Sequence, residues 1–318
     1  MIYIDQTSSE FQYAIEEHYK NLRYIIKKKL LGKQFTEAHP KGLLKRVDKI
    51  TGIHSSVAKF LNDEENLKNV LIGNPEILDG LKLYFTSKKT IQSIKSLIRY
   101  DGFVRKKTED TFGFYNGYHL AENLGIQTCV YCNRLYTNTI ITEKKEFISR
   151  PTFDHWYPKG QFPLLALSFY NLIPSCSVCN SGIKGATEYS LDQIFHPYFK
   201  NPSPERALNL RFSYDLENHE QAATKIVSYN SFTDKTLKVM KLAEMYSCHS
   251  DIIRELIYLK KAYSDTYLHT LQDLLQIDIS PEEVYRLAFG VYLEDDHHVK
   301  RPLSKLKKDI LVELGILK

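Results

Sequence analysis

The sequence predicts an α+β protein that is mainly helical, with a small metal-stapled unit at its centre. Three observations carry this. Apolar residues recur at helical spacing through the first hundred or so residues, and a mostly helical pattern returns after about residue 234. Between about 112 and 200 the periodicity fades, and Gly, Cys, Pro, Asn and aromatic residues cluster. Two CxxC pairs lie inside that central stretch. The division expected is an N-terminal helical domain over 1–115, a central unit over 116–205, and a mostly helical C-terminal region with a short β-hairpin over 206–318.

In chain order, Phe11, Ile15, Tyr19, Leu22, Ile25, Ile26 and Leu30 form the apolar stripe of a first helix, which Gly32 can stop. "KGLLKRVDKI", "SVAKFLNDEENLKNVLIG", "PEILDGLKLYF" and "KKTIQSIKSLIRY" read as further helices separated by Gly, Pro and Asn, with lysine-studded outer faces. "LYTNTIIT" and "EFISRPTFDHW" are β-branched and aromatic runs of strand length, which predicts a hairpin. "HPYFKNPSPERA" is a Pro-rich boundary, and "LNLRFSYDL" and "TKIVSYNSF" read as two more strands. The remainder is mostly helical; "ISPEEVYRLAF" opens with a Ser at the N-cap and a Pro at the first helical position.

Hydrophobic and charged fractions, 43% and 25%, are ordinary for a globular chain, and the net charge of +5 is a mild bias toward polyanionic partners. No window approaches the roughly 20 apolar residues needed to cross a bilayer. The first residues lack a basic n-region followed by an apolar h-region, so a cytoplasmic location without membrane contact is expected. In that compartment thiols stay reduced, so a disulfide framework is not expected, and the four of the five cysteines that form two CxxC pairs point to metal ligation.

Cys129 and Cys132 in "CVYC", with Cys176 and Cys179 in "CSVC", have the ligand types and paired spacing of a closed four-thiolate zinc site. Forty-three residues separate Cys132 from Cys176, more than the 15 to 20 of a simple zinc ribbon, so a small folded unit must sit inside the loop that the metal closes. Inside it "TFDHWYPKG" sets Asp154 beside His155; adjacent residues on a strand face opposite ways. Asn171 precedes the third cysteine and Asn180 follows the fourth.

Taken together, "CVYC … FDHWYPKG … NLIPSCSVCNSGIKG" resembles the zinc-containing branch of the HNH (ββα-metal, His-Me finger) endonucleases over roughly residues 125 to 200. The nearest class is the Septu-type and retron-linked HNH effector nucleases of bacterial antiphage systems. The resemblance implies a ββα-metal core hydrolysing phosphodiesters of DNA or RNA. His155 would be the general base, and Asn171 would hold the His-bearing strand. Asp154 and Asn180 would bind a catalytic Mg²⁺ or Mn²⁺ beside the structural Zn²⁺. The third motif position is Asn180 rather than His, which favours a hard, oxygen-bound cation. Lys184, Lys159 and Arg134 are candidate phosphate contacts. His196, in "IFHPYF", is either an accessory group or packing. The resemblance further implies an ABC-type ATPase or other defence partner, or a second copy of the chain, bound by the helical flanks. Cys248 and the "DDHH" of residues 295 to 298 read as surface features. Two other readings remain: a zinc-stapled module that grips nucleic acid without cutting it, and a helical interaction scaffold.

Overall fold

A computed structural model describes residues 1–40, 47–105, 114–218, 221–262 and 286–317. It is a mainly helical α+β structure with three two-stranded antiparallel sheets among the described residues. The helix expected at the start is α1, Ser9–Leu31: the Ser8 side chain caps it by accepting from Phe11 N, and Gly32, at φ 60, ends it. Its buried face carries Phe11, Ala14, Leu22, Ile25 and Ile26. Not all its lysines face outward as expected. Lys27 is buried against Glu64 at 3.0 Å, and the buried Lys29 ammonium donates to Leu97 O at 3.0 Å.

The run 56–73 is two helices rather than one, α2 (Ser55–Asn62) and α3 (Glu64–Ile72). Asp63 is extended between them, and its carboxylate caps α3 by accepting from Asn66 N. α4 (Pro75–Leu81) starts on an Asn74 cap with Pro at its first turn. α5 (Lys88–Leu97) leads into the short α6 (Tyr100–Phe103), and α7 (Gly117–Leu124) follows. Within "KGLLKRVDKI", residues 41–46 lie outside the described residues and 47–50 are not helical.

The central hairpin differs from the expected one. β1 (Ile140–Ile141) pairs only with β2 (Phe147–Ser149), and Pro151 separates β2 from β3 (Thr152–His155). β3 instead pairs with β4 (Leu172–Ser175), placing Asp154 opposite Ile173 and His155 opposite Leu172. The sequence reading missed β4 because "LIPS" is buried on both faces and shows no alternation. β5 (Leu210–Asn218) and β6 (Gln221–Ser228) form the later hairpin, as expected. α8 (Ser231–Val239), α9 (Leu242–Tyr246), α10 (Ser250–Ala262) and a last helix, Ser304–Glu313, follow. The expected N-cap at Ser280 lies outside the described residues.

One hydrophobic core runs through all three stretches, from Phe11 and Leu22 through Trp156 and Phe169 to Leu306 and Ile310. Backbone ties cross between them as well. Ile2 N donates to Val130 O at 2.9 Å, and Leu303 N donates to Asn133 O at 2.6 Å. The cysteine unit is thus wrapped by both flanks.

Candidate active site

The first CxxC turn closes through Asn133 N donating to Cys129 O at 2.7 Å, with Asn133 in the left-handed region at φ 51. Asn tolerates that conformation better than most residues. Arg134 N then points at Cys132 Sγ (3.4 Å), and Cys179 N at Cys176 Sγ (3.5 Å). All four sulfurs are buried and lie within 4.8 Å of one another, Cys132 and Cys176 at 3.9 Å. A tetrahedral ion with four bonds of about 2.3 Å separates its sulfurs by roughly 3.8 Å, so the four-thiol cluster fits zinc. Crowding sets the thiols against one another: hydrogen bonding from Cys129 and its neighbours drives Cys176 strongly down, while Cys179 is driven strongly up.

Past the cluster the chain makes a wide helical turn, Val178–Lys184, closed by Gly185 N donating to Asn180 O at 2.8 Å. It packs beside β3, and Asn180, Asp154 and His155 all line one cleft of about 620 Å³. The other wall comes from α5–α6, with Lys95, Ile98, Arg99, Tyr100, Asp101 and Arg105.

Asp154 is 1% exposed, and Tyr131 OH donates to its Oδ2 at 2.7 Å. Burial raises its carboxyl to about 6, against the pull of Lys184 and Tyr131. Its nearest cation is the Lys184 ammonium, 3.4 Å from Oδ1. Lys184 is not a surface lysine: at 1% exposure it donates to His155 O at 2.7 Å, and burial lowers its pKa. Here it braces β3 against the turn.

His155 is 8% exposed, on the cleft floor. Its Nε2 lies 3.0 Å from Ala166 O. A carbonyl only accepts, so Nε2 carries the hydrogen and Nδ1 keeps its lone pair. The Tyr100 ring meets the imidazole edge-on at 4.3 Å. Burial lowers His155 to about 3, with Lys159 and Lys184 adding to the shift.

Asn171, fully buried, clamps the loop after β3. Its Oδ1 accepts from Tyr157 N (2.7 Å), and its Nδ2 donates to Tyr157 O (3.1 Å) and Leu165 O (2.8 Å). Three of its bonding positions are used on backbone groups, which locks the bulky "WYPKGQFPLL" linker in one shape.

The remaining candidates fall elsewhere. Lys159 lines the cleft mouth but pairs with Asp101 at 3.1 Å, above the Tyr100 ring. Arg134 points away from the cleft, donating to His249 Nε2 at 2.8 Å and reaching Cys248 Sγ at 3.2 Å. His196 is buried against Trp156, ring centres 4.6 Å apart, and burial lowers it to about 3. Of the expected surface group at 295–298, Asp295 is exposed and pairs with Lys308 at 2.8 Å, but His298 is buried. Tyr131, Tyr100, Lys95 and Arg99 were not singled out from the sequence. Tyr131 lies between the two cysteines of its own knuckle, but a tyrosine there carries no signal of its own. The other three sit on α5, α6 and the link between them, far from the cysteines in sequence, where only folding reveals their neighbours.

No family model matches the chain, and no solved structure matches it. Among curated proteins, Septu protein PtuB of Bacillus thuringiensis is 32% identical over 75 residues, 24% of this chain and 26% of that protein. The chain thus spans about a quarter of the length of the curated relative it matches. The likeness is distant and partial. No helix among the described residues is long and apolar enough to cross a membrane.

Proposed function

We propose that the chain is a metal-dependent endonuclease of the HNH type, working in a bacterial antiphage defence system. The observation that carries this reading is the convergence of Asp154, His155 and Asn180 on one cleft beside a four-thiol cluster. The distant similarity to a Septu protein supports the defence context. The same analogy points to an ATPase partner held by the helical flanks.

The roles follow from the chemistry of each group. The Asp154 carboxylate and the Asn180 amide oxygen would hold a hard divalent cation such as Mg²⁺ or Mn²⁺, which supplies positive charge for the scissile phosphate and the leaving oxygen. The donor set fits: two oxygen-bearing side chains lining an open cleft leave room for water and phosphate oxygens. His155 Nδ1, with Nε2–H anchored on Ala166 O, would take the proton of the attacking water. Burial lowers its basicity in the free protein, and the negative charge of a bound phosphate would favour the protonated imidazole. Asn171 would act as a positioning residue, fixing the loop that carries the Ala166 acceptor.

The test is cleavage of plasmid, single-stranded DNA and tRNA with Mg²⁺ or Mn²⁺, wild type beside His155→Ala. Loss of general-base catalysis should slow cutting by about 10²–10⁴-fold with zinc content and Tm unchanged. Cutting by the variant at the wild-type rate would remove His155 from the mechanism. No cutting of any substrate by wild type would remove the nuclease reading.

A further inference from the structure

We propose that α5 and the Arg99–Arg105 segment form the phosphate-gripping wall of the cleft, with Lys95 and Arg99 holding the backbone of a nucleic-acid strand laid across His155. The chemistry at the cleft floor rests on the nuclease reading above; the grip itself is argued from the wall.

α5 is sharply two-faced. Ile94, Leu97 and Ile98 are buried, and the helix packs on the Pro163–Leu165 turn that ends in the Ala166 acceptor for His155. With that face turned inward, Lys95 on α5 and Arg99, in the non-helical link between α5 and α6, are both exposed and line the cleft. Among the described residues, no ion pair or side-chain hydrogen bond engages Lys95, Arg99 or Arg105. Three guanidinium groups elsewhere have carboxylate partners, Arg23 with Glu37, Arg206 with Asp192 and Arg211 with Glu313, whereas the exposed Arg254 on α10 stands apart from the cleft without one among the described residues. Three unneutralised cations along one side of a cleft focus positive potential into it. The polyanion that a row of cations fits, and that a phosphodiester-cleaving floor requires, is a nucleic-acid backbone.

The same wall carries a competitor. Its Asp101 carboxylate holds Lys159 of the opposite lip at 3.1 Å over the Tyr100 ring, so an entering phosphate must contend with it for that ammonium. The wall therefore predicts effects of opposite sign: removing Lys95 and Arg99 weakens binding, and removing the Asp101 charge strengthens it.

The experiment is fluorescence anisotropy of labelled single-stranded DNA, duplex DNA and single-stranded RNA, titrated with the full chain in EDTA from about 50 to 200 mM salt. Cleavage with Mn²⁺ is measured in parallel. Lys95→Ala/Arg99→Ala should raise Kd about tenfold or more and flatten the salt dependence by about two contacts. Asp101→Asn should lower Kd by a few fold. A matched pair on α8, Lys235→Ala/Lys238→Ala, removes the same charge from exposed positions outside the cleft and should change Kd by less than about twofold.

The wall is overturned if the Lys95/Arg99 variant binds and is cut-competent like wild type, if the α8 pair weakens binding equally, or if wild type binds no probe. Wild type that binds with the predicted variant effects yet never cuts would sink the nuclease reading and leave the wall standing.

Discussion

The two sides of the cleft are built on opposite principles. On the cysteine side nearly every functional group is buried and fixed by a backbone partner: His155 by Ala166 O, Asn171 by Tyr157 and Leu165, Lys184 by His155 O. On the helical side Lys95, Arg99 and Arg105 are exposed and unpaired among the described residues. Buried and bonded groups hold geometry to the fraction of an ångström that bond-making chemistry needs. Exposed cations on long stems hold only charge, which is enough for a polyanion that must slide and leave. A single-residue change should therefore be severe on the first side and graded on the second.

The most damaging change expected is Cys176→Ser. The four-thiol cluster joins the turn after β4 to the Cys129–Cys132 knuckle, which Tyr246 OH and Leu303 N tie to the C-terminal region. Losing one thiolate opens the metal site, and metal binding in such units is folding free energy of several kcal/mol. For a chain of this size that corresponds to a Tm lower by on the order of 10 °C, with zinc lost from the purified protein by elemental analysis. An unchanged Tm together with unchanged zinc content would mean that Cys176 does not hold the metal and that the cysteine side is not stapled through it.

Asn171→Ala should come next. It leaves Tyr157 N, Tyr157 O and Leu165 O without their buried partner, at a cost on the order of 3 kcal/mol. Because the clamp shapes the loop holding His155 but touches no cation of the opposite wall, cleavage should fall while oligonucleotide Kd stays within about twofold of wild type. A variant that loses binding and cleavage in parallel would show that the two sides are not separable.

The same contrast explains what could be read from the sequence. The cysteine side is local: the CxxC pairs, Asp154–His155 and the two asparagines all lie within residues 129–180, where spacing restricts geometry. That Asp154, His155 and Asn180 would meet at one site was implied by the resemblance of these motifs to the ββα-metal endonucleases, while the 43-residue spacing showed only that a small folded unit lies inside the loop. Lys184 could not be read, since a lysine in "NSGIKG" looks solvated until the wide turn carries it inward to His155 O. β4 gave no alternation to detect. The helical wall was hidden for a different reason: Lys95 and Arg99 precede His155 by more than fifty residues, and nothing local says that α5 docks on the Pro163–Leu165 turn. Helices were recognised by period, but which face meets which neighbour is decided by the whole core.

The mildest prediction tests whether the two sides unfold together. His18, on α1, is fully buried and donates from Nε2 to Leu167 O at 2.7 Å, while Nδ1 accepts from Tyr115 OH at 3.2 Å. It thus links the helical side to the loop that carries the site. Burial lowers its pKa from 6.5 to about 4. The folded chain therefore keeps His18 neutral where the unfolded chain takes up a proton. Its contribution to stability is complete above about pH 6.5 and is lost as the pH falls toward 4. His18→Gln, which can keep one donor and one acceptor without titrating, should lose a little stability at pH 7 and show a flatter decline of Tm between pH 6.5 and 4. If the two sides form one cooperative unit, helical circular dichroism and zinc release will move to the same new pH midpoint. Zinc release that keeps the wild-type midpoint while the helical signal shifts would separate them, and the cleft would then be an interface between units that open independently.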